Sequence, residues 1–79
     1  MLIVSQDEKQ LMSLNTMEGI RVDECSRETR ILIFYADRWT ITLGIYKTEE
    51  RAREVLAEIV NEYKNRIPDQ NTVYYMPKE

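Results

Sequence analysis

Histidine is absent from this chain, and cysteine occurs once, at Cys25. The first absence removes the commonest general base and the commonest metal ligand together. The second excludes an intrachain disulfide and a thiolate metal cage, and nothing else points to an oxidising compartment. Gly19 and Gly44 are the only glycines and stand apart, so no glycine-rich loop cradles a phosphate. No apolar run approaches the roughly 20 residues of a membrane span. Met1-Leu2-Ile3-Val4 gives way at once to Ser5-Gln6-Asp7-Glu8, too short for a signal peptide's apolar core. A cytoplasmic protein is expected, with no membrane segment and no cofactor.

Catalytic chemistry is also thinly provided. Cys25 lies among Asp23, Glu24, Ser26 and Arg27, where the acids disfavour the thiolate a nucleophile needs, so a structural or incidental cysteine is expected. Asp23 and Glu24 point to opposite faces of a strand and cannot share a proton or an ion. Asp7-Glu8 lies in a turn without the ligand spacing of a calcium loop. The expectation is a protein that is not an enzyme.

What the chain does contain is one domain, residues 1–79, built of strands followed by a helix. A domain of this size buries only about 60% of its unfolded surface, so area added by a partner would be stabilising. Acidic residues outnumber basic ones, 14 to 11, and the net charge of −3 gives no long-range pull toward a phosphate backbone. Through residue 46 the chain reads as short strands separated by polar turns: Leu2 to Ser5, Gln10 to Leu14, Gly19 to Cys25, Thr29 to Ala36 and Trp39 to Ile45. Strands so close in sequence pair antiparallel.

Alternation then assigns faces. Trp39, Ile41, Leu43 and Ile45 share one side of the last strand and are expected to face the core. A two-residue turn at Asp37-Arg38 sets Phe34 opposite Ile41 and Leu32 opposite Leu43, and a three-residue loop at Ser26-Arg27-Glu28 sets Val22 opposite Leu32 and Ile20 opposite Phe34. The second face then carries Ile31, Ile33 and Tyr35 along its middle strand, with Arg21, Asp23, Thr40 and Thr42 beside them.

The helix is expected over about 48–66. Thr48 suits an N-cap, Glu49 and Glu50 place negative charge on the first turn, and Pro68 stops the run after Ile67. Ala52, Val55, Leu56, Ile59, Val60 and Tyr63 fall within one arc that covers the sheet, while Glu50, Glu54, Glu58 and Glu62 line the solvated side.

The stretch LGIYKTEERAREVLAEI, Leu43 to Ile59, resembles a group of small proteins from Gram-positive bacteria and their mobile elements. Members begin with strands like MLIVSQD, pass through a meander, and start their helix in a similar Tyr-Lys-Thr-Glu-Glu-Arg-Ala sequence. The resemblance implies the fold and leaves function open, an accessory protein of such an element being one reading, and it carries no activity and no site residues.

The tail is the feature that invites a functional reading. Asp69-Gln70-Asn71 forms a turn cluster, and Thr72-Val73-Tyr74-Tyr75-Met76 has strong strand propensity. These residues either add a strand to their own sheet or pair with a second copy, and the second course is favoured. The sequence thus predicts an α+β domain: an antiparallel meander of about five short strands (1–46) on one C-terminal helix, with an extended tail (69–79). It predicts a non-enzymatic interaction module, a homodimer whose contacts come from Ile31, Ile33 and Tyr35 or from Val73, Tyr74, Tyr75 and Met76. The alternative is a nucleic-acid-binding accessory protein using Arg21, Arg27, Arg30 and Arg38, with Tyr35 and Tyr46 as stacking partners.

Overall fold

Two three-stranded sheets and a helix organise the chain in a computed structural model that describes residues 1–37, 39–67 and 72–79, the side chain of Cys25 excepted. In the smaller sheet β1 (Leu2–Val4) is central, antiparallel to β2 (Leu11–Ser13) and parallel to a strand from the tail, Val73–Tyr75. The larger sheet is the antiparallel meander of β3 (Gly19–Cys25), β4 (Glu28–Phe34) and β5 (Thr40–Tyr46), crossed by α1 (Glu49–Lys64). The tail strand is β6. The fold is α+β as expected, with the strands divided between two sheets.

The β1–β2 turn is held by its own side chains. The Ser5 hydroxyl donates to Asp7 Oδ1 at 2.6 Å and accepts the Gln10 N–H at 3.1 Å, and Asp7 Oδ1 also accepts the Lys9 N–H at 3.0 Å. The Ser5 hydrogen bond, then the Lys9 N–H, hold the Asp7 carboxyl below its ordinary value. Beyond the turn Gln6 braces the two sheets. Its N–H donates to the Leu43 carbonyl at 2.8 Å, and its side chain accepts the Ile45 N–H at 2.9 Å while donating to the Ile45 carbonyl at 3.0 Å. Gln6 thereby acts as a short added strand on the β5 edge, which would otherwise present unpaired backbone groups.

The faces of the meander differ from the sequence reading in β4 and at the end of β5. Ile20 opposes Ile33 and Val22 opposes Ile31, and Ile33 in turn opposes Ile41. Ile31 and Ile33 therefore face the helix and are fully buried, where Leu32 and Phe34 had been expected. The cause lies in the two turns. The β3–β4 connection is the two residues Ser26-Arg27 between the paired Cys25 and Glu28, with Ser26 at φ 58°, the left-handed value a primed turn needs. At the other end the Tyr35 N–H donates to the Trp39 carbonyl at 3.0 Å, leaving three residues in between rather than two. The loop lengths are interchanged relative to expectation, so only the strand between them turns over.

A bulge shifts β5 as well. Ile31 opposes Gly44 and Leu32 opposes Thr42, leaving Leu43 as the extra residue. Past the bulge Gly44 and Tyr46 face inward, and Ile45 is turned out, 44% exposed. A Cβ on Gly44 would lie 2.9 Å from the Tyr46 ring, so the bare backbone makes room for that buried phenol.

The helix matches its signals. Thr48 Oγ1 accepts the Arg51 N–H at 3.1 Å, and Arg53 donates to Glu49 at 2.7 Å from the next turn. Its buried stripe is narrower than the expected arc. Ala52, Val55 and Ile59 are buried, while Val60 and Tyr63 stay exposed. The core joins this stripe to Ile31, Ile33, Leu43 and Tyr46 of the larger sheet and to Ile3 and Met12 of the smaller one. No helix among the described residues is long and apolar enough to cross a membrane.

Candidate functional site

The tail pairs within its own chain. Leu2 opposes Val73, Ile3 opposes Tyr74 and Val4 opposes Tyr75, with the Leu2 N–H donating to the Thr72 carbonyl at 2.8 Å and the Met76 N–H to the Val4 carbonyl at 3.1 Å. This corrects the expectation that the tail reaches a second copy. Alternation then splits the tail between two tasks. Tyr74 and Met76 turn inward: Met76 joins the core, and the Tyr74 hydroxyl donates to Glu58 of α1 at 2.6 Å. Val73 and Tyr75 turn outward.

The last residues are tied down in the same way. The Tyr46 hydroxyl donates to the Pro77 carbonyl at 2.8 Å, the Gln6 amide to the Lys78 carbonyl at 2.9 Å, and Arg51 to the Glu79 carbonyl at 2.8 Å. Desolvation raises the Tyr46 phenol to about 12. Desolvation raises Tyr74 further, helped by its hydrogen bond to Glu58. A phenol whose folded pKa is raised contributes stability that is complete below its unfolded value near 10 and is lost as pH climbs through the folded value. Stability should therefore fall as pH climbs above about 10. Urea midpoints measured from pH 8 to 11.5 should show a shallower fall in Tyr74→Phe than in wild-type.

Among the described residues, large apolar side chains other than Ile45 remain in solvent in three places. The first is the outer face of the small sheet, where the register aligns Leu2 with Val73 and Val4 with both Leu11 and Tyr75. Tyr75 is 67% exposed, Leu11 61% and Val73 41%. The second is an open cleft at the end of the meander, where Trp39 is 67% exposed beside Tyr35 and Ile41. The third is the flank of α1 with Val60 and Tyr63, followed by Ile67. There Arg66 lies over the Tyr63 ring, 3.7 Å from its centroid, instead of pairing with Glu62.

Of the residues expected to mediate self-association, Val73 and Tyr75 are available on the first surface and Tyr35 lines the second. Ile31, Ile33 and Met76 are buried in the core and offer no contact surface, a correction that follows from the turned-over β4 and from the inward phase of the tail. Tyr74 is half-buried against α1. Sequence reasoning missed Leu11, Val4 and Leu2. Every position of β1 is apolar, so alternation there carries no signal, and only the pairing with β2 and β6 reveals which side is covered.

The arginines meet a different surface, the outer face of the meander. Arg21 opposes Leu32, its guanidinium 5.5 Å from the Phe34 ring centroid, and Phe34 in turn covers Gly19. Arg30 opposes Asp23 and pairs with Glu28 at 3.2 Å, and Arg27 lies in the turn beside Glu24, Glu28 and Glu49. Arg38 lies outside the described residues. Tyr46 is buried and bonded to Pro77, and Tyr35 is on the inner face, so neither serves as the stacking partner expected for the arginines; Phe34 is the aromatic on that side. Cys25 closes β3 opposite Glu28. Among the described residues no three His, Cys, Asp or Glu side chains converge to hold a metal. Comparison with protein-family models, with curated proteins and with solved structures gave no match.

Proposed function

We propose that the protein is a small non-enzymatic interaction module that self-associates through the outer face of the β2–β1–β6 sheet. The observation that carries this reading is the apolar character of a sheet face turned to solvent. A sheet with one wet side normally alternates apolar inward and polar outward. Here the inward row of Ile3, Met12 and Tyr74 has a largely apolar outward counterpart in Leu2, Val4, Leu11, Val73 and Tyr75, with Ser13 the one polar position on that face of the three strands. Leu11, Val73 and Tyr75 together present on the order of 300 Å² of largely apolar surface, the lower end of the range for the largest patch on a monomer, which is often functional.

A second copy suits this face better than a charged partner. Glu8 and Lys9 border the same hollow as Val4, Leu11, Val73 and Tyr75, so a two-fold arrangement sets mixed charges against mixed charges without repulsion. The patch is small against the roughly 800 Å² per partner of a standard interface, so the dimer is expected to be weak and concentration-dependent. An accessory role, one reading of the resemblance to mobile-element proteins, fits such a module, and a cytoplasmic setting fits its single cysteine.

Sedimentation velocity across a range of concentrations tests the proposal. Wild-type should shift from monomer toward dimer, and Tyr75→Glu or Leu11→Glu should remain monomeric with a melting temperature within a few degrees of wild-type. Monomer at all concentrations for wild-type, or unchanged association in both variants, would sink the reading.

The nucleic-acid reading rests on Arg21 and Arg30 sharing the outer face of the meander with Phe34. It is the weaker of the two, because Asp23 and Glu28 compensate Arg30 and the net charge of −3 opposes a polyanion. Titration with single- and double-stranded oligonucleotides at low and high salt decides it: salt-sensitive binding lost in Arg21→Ala would revive the reading.

A further inference from the structure

The open end of the meander is built differently from the dimer face, and its chemistry selects a charge. Tyr35 and Trp39 are cross-strand neighbours joined by the Tyr35 N–H to Trp39 carbonyl bond at 3.0 Å. They continue the inner-face row set by Ile33 and Ile41 beyond the part that α1 covers, which explains why Ile33 is buried while Trp39 is 67% exposed. Thr16, Tyr35, Ala36, Asp37, Trp39 and Ile41 line a cleft of about 520 Å³ there. Asp37 Oδ1 accepts the Trp39 backbone N–H at 3.3 Å, and Asp37 lines the same cleft as the indole. Two aromatic rings and one carboxylate around an apolar floor favour a cation: ring faces attract positive charge, the carboxylate adds a hydrogen-bonding counter-ion, and Ile41 receives the aliphatic stem.

We propose that this cleft is a binding site for a basic side chain, arginine foremost, displayed by an extended segment of a partner protein. Arginine is preferred because its planar guanidinium stacks on an aromatic ring while its N–H groups reach a carboxylate. The site is separate from the dimer face on the small sheet and does not depend on it. The protein's net charge of −3 also favours approach by a basic segment.

The chain has one tryptophan, so a single indole N–H resonance reports the cleft by NMR. The probes are capped tripeptides of glycine–arginine–glycine and glycine–glutamine–glycine, with dissociation constants roughly in the millimolar range for the former. Saturable movement of the indole signal by the arginine peptide, at least threefold tighter than by the glutamine peptide and weakened by salt, is expected. Asp37→Asn keeps the acceptor for the Trp39 N–H and removes the charge, so it should abolish the arginine preference while leaving the rest of the spectrum in place. Arg38 follows Asp37 in sequence and carries the same charge as the probe, so the titration is repeated in Arg38→Ala, where equal or tighter binding is expected. Equal response to both peptides, no response in either protein, or a preference that survives Asp37→Asn would overturn the proposal.

Discussion

Ile33→Ala is expected to destabilise the fold by about 2–5 kcal/mol, the range for truncating a buried aliphatic side chain that neighbours cannot refill. Ile45→Ala, only twelve positions along, should cost about 1 kcal/mol or less, because that residue is turned outward past the β5 bulge and is 44% exposed. A domain of this length holds roughly 4–12 kcal/mol in all. The first change should therefore lower the melting temperature by roughly 10–30 °C, at about 4–8 °C per kcal/mol, and the second by a few degrees. Urea denaturation gives the same comparison isothermally. The ordering is diagnostic: in a register with Leu32, Phe34 and Ile45 facing the helix, Ile45 would be the costly position and Ile33 the cheap one. Equal losses at both sites, or the reversed order, would contradict the pairing of Ile33 with Ile20 and Ile41.

That pairing also marks where sequence reading works and where it fails. The helix was legible because three independent signals agree: the Thr48 cap, acidic residues in the first turn, and apolar residues spaced along one arc. β3 was legible to its end residues, Gly19 and Cys25, and both its faces were assigned correctly. β4 was not, since Ile31-Leu32-Ile33-Phe34 is apolar at every position and its phase had to be borrowed from turn lengths. Leu32 is itself nearly buried, under Arg21 and Thr42 on the outer side, so both faces of this central strand are covered. Turn length is a weak guide without an Asn-Gly or similar signature, and Ser26 in a left-handed conformation has none. The same ambiguity hid the exposed apolar face of the small sheet. Leu2-Ile3-Val4 can be assigned sides only after β6 is placed beside it, and that contact joins residues about seventy apart. The bulge at Leu43 was invisible for a different reason, because its benefit lies in seating Tyr46 over Gly44, a contact no periodicity encodes.

Removing residues 72–79 should have the larger effect, leaving little or no cooperative unfolding at room temperature. The tail fills the core with Met76, whose loss corresponds to about 2–5 kcal/mol by analogy with large-to-small core substitutions. It also supplies the Tyr74 hydroxyl that binds the exposed Glu58 carboxylate, about 0.5–1.5 kcal/mol for a hydrogen bond open to solvent. Further, it accepts from Tyr46, Gln6 and Arg51, leaving the buried Tyr46 hydroxyl without its acceptor when it is gone. These terms approach the whole stability of a domain this size, so circular dichroism of the truncated chain should show a shallow, non-cooperative melt. A synthetic peptide spanning residues 72–79 should restore a cooperative transition in a dose-dependent way, since β6 adds to an edge of β1 that remains otherwise intact. The experiment is best run in the Tyr75→Glu background, with the same substitution in the peptide, so that the proposed self-association cannot account for the result. A truncated protein that melts within a few degrees of its full-length parent would show that β6 and Met76 are dispensable, and the assignment of the tail as the third strand of the small sheet would fall.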